Sequence, residues 1–132
     1  MIGIDTNVLI RYVVRDDERQ TAIATKYLEQ HISAVNPGYI SQIVLYEIVW
    51  VLKRAYGFPK KIIIQVLKQI LKTREFSIEC PEIARRAVVD YEAGNMDFSD
   101  CWIGISNRTQ GCEFTVTFDR SALPHPAFRE CA

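Results

Sequence analysis

A chain of 132 residues, 48% of them apolar, can bury a core without metals or disulfides, and its length suits a single domain over residues 1–132. No apolar run approaches the roughly 18 residues that cross a bilayer, and Met1-Ile2-Gly3-Ile4-Asp5 lacks the charged leader and long apolar stretch of a secretion signal, so a cytoplasmic protein with no membrane partner is expected. Sixteen bases balance sixteen acids, yet seven of the bases, Lys53, Arg54, Lys60, Lys61, Lys68, Lys72 and Arg74, fall between Glu47 and Glu75 with no acid among them. Such a region either holds the phosphates of a polyanion or is the solvated face of a helical hairpin.

Ile2-Gly3-Ile4 reads as a strand that ends in Asp5-Thr6-Asn7, after which Val8, Leu9, Tyr12 and Val13 recur at helical spacing. Ala22, Ile23, Tyr27 and Leu28 mark a second helix, Asn36-Pro37-Gly38 a loop, and Tyr39-Ile40 a brief strand. Ser41 is placed to cap an apolar helix from Ile43 to Tyr56 that Gly57 closes. Pro59 suits the first turn of the next helix, to which Ile62, Ile63, Val66, Leu67, Ile70 and Leu71 give a wide apolar face. Glu75 to Glu79 alternates like a strand, and Pro81 opens a helix that stops near Gly94-Asn95. A further helix runs from Phe98 to Gln110 with Gly111 behind it, Phe114 to Thr117 is the last clear strand, and the tail after Leu123 reads as irregular. Strands alternating with helices predict an α/β fold with a central, mainly parallel sheet, in which ligands bind beyond the carboxyl ends of the strands.

Cys80, Cys101, Cys112 and Cys131 form no CxxC pair, and neither His31 nor His125 stands at zinc-ligand spacing from them. They read as reduced thiols, mostly in the core. Cys101 lacks a neighbouring histidine or lysine that would make it a thiolate, and His31 reads as a solvent-facing residue at a helix end.

The acids are more informative. Asp5 follows the first strand and Asp119 follows the last; if those strands are parallel neighbours, both carboxylates emerge at one edge of the sheet. Taken singly, Asp5 could cap a helix and Asp119 could be a turn residue. Glu47 interrupts the most apolar helix, where burial without a cation is costly, although an exposed polar stripe would also account for it. In Asp97-Phe98-Ser99-Asp100, two acids stand at a helix entrance, a pattern that serves as an N-cap and also as a metal site. Carboxylates without histidine or clustered cysteine suit a hard cation such as Mg²⁺ or Mn²⁺. Without one they repel, by roughly 4 kcal/mol for a pair about 4 Å apart at an effective dielectric near 20.

Ile4-Asp5-Thr6-Asn7-Val8-Leu9-Ile10, Ile40-Ser41 through Tyr46-Glu47-Ile48 with Val51-Leu52-Lys53-Arg54, Asp97-Phe98-Ser99-Asp100 and Thr117-Phe118-Asp119-Arg120 together resemble the PIN domain family, and within it the VapC-type toxins of toxin–antitoxin pairs. The resemblance spans nearly the whole chain. It implies a single PIN-like domain, a parallel sheet flanked by helices on both faces, and an Mg²⁺-dependent endoribonuclease, with Mn²⁺ able to substitute. It further implies an RNA substrate, a VapB-like antitoxin that blocks the site, and a homodimer. By motif match Asp5 and Asp100 would be the main metal ligands, Glu47 and Asp119 would complete an acidic quartet with Asp119 also at the metal, and Asn7 and Thr117 would support it. Asp97 would be a cap first and a support to the site second. Lys53, Arg54, Lys60 and Lys61 would hold flanking phosphates. Hydrolysis of this kind leaves a 5′-phosphate and a 3′-hydroxyl. Cys101-Trp102 departs from the small residues usual after the third acid, while Gly104 keeps the same helix face small.

Two other classes fit less of the chain. A response-regulator receiver needs a lysine after its last strand, where this chain has Thr117-Phe118-Asp119. A non-catalytic RNA- or protein-binding scaffold does not call for acids at all four positions. Within the nuclease reading, housekeeping RNA processing is the alternative to a toxin.

Overall fold

Three short strands, β1 (Ile2–Gly3), β2 (Gly38–Ile40) and β3 (Phe76–Ile78), pair in parallel in the order β1-β2-β3 in the computed structural model, which describes residues 1–132. They belong to the first of two compact units, Met1–Pro81; the second is Glu82–Ala132. A parallel pair needs a crossover, and each crossover here is a helix pair: α1 (Thr6–Val14) with α2 (Glu18–His31), then α3 (Gln42–Arg54) with α4 (Lys60–Lys72). Helix α1 packs on α2, α3 and α4, and α3 on α4. Leu9, Leu28, Ile40, Leu45, Ile48, Leu52, Ile63, Leu67 and Ile70 are fully buried in this unit. Gly38 marks the close approach of β1 and β2, since a Cβ there would collide with the Ile4 side chain.

The helix ends follow local chemistry. Asp17 caps α2 by accepting from the Gln20 amide at 2.9 Å. Ser41 caps α3 as expected, its hydroxyl accepting from the Val44 amide at 3.3 Å, and Glu79 Oε1 accepts from the Gln42 amide at 2.9 Å, so two orphan donors of that helix are satisfied. Pro59 stands at the N-cap of α4, one position before the expected first turn. Gly57 (φ +64°) and Gly111 (φ +97°) take up the left-handed conformation that the chain needs as it leaves α3 and the last helix.

The second unit contains α5 (Pro81–Ala93), α6 (Phe98–Thr109), β4 (Thr115–Thr117), a 3₁₀ turn at Arg120–Ala122, and β5 (Phe128–Glu130). The α/β class and parallel pairing agree with the sequence reading, but two details are corrected. The tail is not irregular: Phe128–Glu130 pairs in parallel with β4, extended by Thr115 N to Ala127 O at 2.7 Å and Cys131 N to Thr117 O at 2.9 Å. Strand β4 therefore lies in a two-stranded sheet with β5. Pro124 and Pro126 break the local pattern just before β5, and three residues are too few for alternation to show. The cysteines are corrected as well. Only Cys101 is buried; Cys80, Cys112 and Cys131, in turns and the tail, are exposed and free.

Candidate active site

In the first unit, Asp5 occupies the N-cap position of α1 with extended backbone (φ −76°, ψ 157°), and its carbonyl accepts the first helical bond from Leu9 N at 3.1 Å. Its carboxylate makes no capping hydrogen bond and is exposed. Asp5 and Asn7 line a groove of about 530 Å³ with Val8, Ile23 and Tyr27. Arg11, farther along α1, is held by Gln20, Asp16 and Tyr56, whose hydroxyl accepts from Arg11 at 2.7 Å.

Glu47 is exposed, the polar-stripe reading of the two that the sequence left open. Helix α3 has two apolar faces: Val44, Leu45, Ile48, Val49 and Leu52 go inward, while Ile43, Tyr46 and Trp50 stay exposed beside Glu47. A helix apolar all round cannot show in sequence which side the protein covers. His31 is exposed at the end of α2, as expected. The exposed face of α4 carries Lys61, Gln65, Lys68 and Lys72, a spacing that keeps them in one stripe.

In the second unit the acids meet. Phe98 is buried at the start of α6, edge-on to Tyr91 and Trp102 at centroid distances of 5.8 and 5.9 Å, and this anchors the first turn. Asp100, Gly104 and Asn107 then follow one face at i, i+4 and i+7. Gly104 meets Phe128 and Ala127 of the ribbon so closely that a Cβ would lie 2.7 Å from the Phe128 ring. Asn107 Nδ2 donates to Thr115 Oγ1 at 3.1 Å. With α6 laid against β4 and β5 in this register, the Asp100 carboxyl comes close enough to Asp119 for each to shift the other's titration.

The two carboxyls titrate in opposite directions. Burial, then the charges of Asp119 and Asp97, push Asp100 above the usual carboxylate range. The hydroxyl and amide of Ser121 hold Asp119 below it, through bonds of 2.7 and 2.9 Å to Oδ1. A position in the first turn of α6 favours an ionised Asp100, and here burial and two like charges outweigh the helix dipole. Asp97 sits at the N-cap of α6 with no side-chain cap bond, so its carboxylate acts on Asp100 through charge. Thr117 Oγ1 accepts from the Asp119 amide at 2.9 Å and sets the turn that presents Asp119.

Ser121 escaped the reading of the sequence, although Asp-Arg-Ser carries a local signal: an Asp side chain bonding to the backbone two residues on. His125, which the sequence places off zinc-ligand spacing, has an Nδ1 that accepts from the Ala127 amide at 3.1 Å, leaving Nε2 to donate to Asp90 at 2.8 Å. That pair lines a separate hollow of about 300 Å³.

No three of the chain's His, Cys, Asp or Glu side chains are gathered at metal-binding distance. The donor chemistry of the Asp100–Asp119 pair nevertheless fits a hard divalent cation: all its ligand atoms are oxygen, and the like charges of Asp119 and Asp97 beside Asp100 are what a cation relieves. Residues 2–128 match the PIN domain. The chain belongs to the PIN domain family. It is also similar to a VapC ribonuclease of Aquifex aeolicus (strain VF5), at 24% identity over 117 residues that cover 89% of this chain and 86% of the relative. In this PIN domain no helix is long and apolar enough to cross a membrane.

Proposed function

We propose that the chain is a single-domain, Mg²⁺-dependent endoribonuclease that acts in the cytoplasm as the toxin of a toxin–antitoxin pair. The observation that carries this reading is the Asp100–Asp119 pair, two carboxyls held together at the end of β4 and the start of α6 with opposite titration. Family membership over residues 2–128 and similarity to a VapC ribonuclease support it.

Asp5, Asp100 and Asp119 would hold Mg²⁺, or Mn²⁺ in its place, with Glu47 as the fourth catalytic acid and Asn7, Asp97 and Thr117 in support. The ion would supply Lewis acidity at the scissile phosphodiester and lower the pKa of a water that attacks in line. Ser121 keeps the Asp119 carboxylate ionised and oriented. One of these carboxylates would take the proton of the attacking water. The basic interval, with Lys53, Arg54, Lys60 and Lys61, holds phosphates on either side, offsetting the repulsion between RNA and the acids.

The cognate antitoxin is a VapB-like protein that blocks the site. A homodimer is supported by Ile43, Tyr46 and Trp50, an apolar face of α3 left exposed at 63%, 46% and 53%. The test is expression of the chain alone and together with the product of the adjacent upstream gene. Growth arrest with RNA cleavage that needs Mg²⁺ or Mn²⁺ and is relieved by the partner supports a toxin. Cleavage without toxicity assigns housekeeping RNA processing, and no cleavage by the parent protein overturns the nuclease reading.

A further inference from the structure

Phe118 is 86% exposed and directly precedes Asp119, and Val116 on β4 is 58% exposed. Side chains along a strand alternate between faces. On the ribbon of β4 and β5, one face is set by Phe128, packed on Gly104, and by its register partner Thr115, bonded to Asn107 of α6. Val116 therefore points the other way, and Phe118, one residue past the strand, is left in solvent beside it. Arg129 pairs with Val116 and points outward with them, its guanidinium carbon 4.3 Å from the Phe114 ring centroid. The outer face thus carries two aromatic rings, an aliphatic side chain and a cation, and it ends at an acid of the proposed site.

The Phe118 ring is presented by a braced turn. The Asp119 amide donates to Thr117 Oγ1 at 2.9 Å, Ser121 N and Oγ donate to Asp119 Oδ1, and Ala122 N donates to Asp119 O at 3.2 Å. Nothing inside the unit offsets the cost of a large aromatic side chain held in water in this way, and a ligand with a flat apolar face would cover it.

We propose that the outer face of the β4–β5 ribbon is a stacking platform for unpaired bases of RNA beside the scissile phosphate, with Phe118 under the base nearest the cut and Arg129 on a phosphate farther along. The proposal rests on the nuclease reading, which places Asp119 at the reaction. Phe114 and Phe118 flank the three residues of β4, each of which adds about 3.3 Å of rise, so the face is long enough for more than one base. Base faces are available only in single strands, loops or ends, so the preferred substrate is unpaired at the cut.

The test measures binding of a short fluorescein-labelled single-stranded RNA by anisotropy, in an Asp100→Asn background so that the RNA stays intact. Phe118→Ala weakens binding by about 5- to 150-fold, equivalent to about 1–3 kcal/mol, with an unchanged thermal midpoint, and Phe118→Trp restores it. Arg129→Gln weakens binding and lowers its salt dependence. The same sequence as a duplex competes poorly. In the cleaving protein, Phe118→Ala raises KM and leaves kcat near that of the parent. Equal RNA affinity for the Ala variant and its parent, a Trp variant as weak as the Ala variant, or a preference for duplex overturns the platform, including the case in which a protein partner covers this face instead. Failure of the unmodified protein to cleave any RNA overturns the nuclease reading, and the binding series still decides the platform.

Discussion

Asp100 and Asp119 stand close enough to shift each other's titration, and the two move in opposite directions: burial raises the proton affinity of Asp100 while Ser121 lowers that of Asp119. The fold holds this pair together through contacts that are not themselves acidic: Gly104 against Phe128, and Asn107 on Thr115.

Replacing Asp100 with Asn should separate stability from activity. A group whose pKa is raised on folding contributes stability that is present below its unfolded value and is lost as pH rises through the folded value. At neutral pH the metal-free parent therefore carries a destabilising ionised Asp100, and the variant melts higher, with the gap closing toward acid pH. Cleavage falls by more than about a hundredfold, since loss of a residue that merely supports a metal ligand already costs about 10–100-fold. Mg²⁺ raises the midpoint of the parent and not of the variant. Scanning fluorimetry in EDTA and in Mg²⁺, with an RNA cleavage assay, checks all three; a less stable variant that still cleaves would sink the assignment.

Gly104→Ala places a methyl group 2.7 Å from the Phe128 ring. Overpacking of this kind costs about 1–3 kcal/mol, and a domain of this size loses about 4 °C of Tm for each kcal/mol. Adding Phe128→Leu to Gly104→Ala should return part of that stability. Strict additivity in a double-mutant cycle would mean that the two residues do not share the contact.

The Arg11–Tyr56–Asp16 network sets an acid limit on stability. The Tyr56 hydroxyl, then Arg11, holds the Asp16 carboxyl below its ordinary value. A lowered carboxylate contributes stability that is present above its unfolded pKa and is lost as pH falls through the folded one. Tyr56→Phe should thus lower the thermal midpoint at pH 7 more than in acid below the folded pKa of Asp16, where the carboxyl is protonated in both proteins. An equal drop at both pH values would leave only a packing role for the hydroxyl.

Lys60→Glu with Lys61→Glu should weaken RNA binding in a salt-dependent manner. For every phosphate of a single strand that a lysine no longer neutralises, the slope of log K against log salt becomes shallower by about 0.7. Unchanged affinity at low salt would return this stretch of α4 to a solvated face.

Much of this protein was legible before folding was considered. The ends of α3 and α6, the Ser41 cap and the left-handed Gly57 and Gly111 are all read from a few neighbouring residues, because capping, turn geometry and periodicity are settled within one or two turns of chain. Tertiary structure decided what those residues face. The exposure of Glu47 depended on which side of an evenly apolar helix the rest of the unit covers, and the pairing of β5 with β4 on a strand too short to announce itself. The raised proton affinity of Asp100 beside Asp119 depended on a glycine narrow enough to admit a phenylalanine from the tail. Proton affinity, unlike a helix cap, is set by burial and by charges that arrive from distant parts of the chain, so only close packing could reveal it.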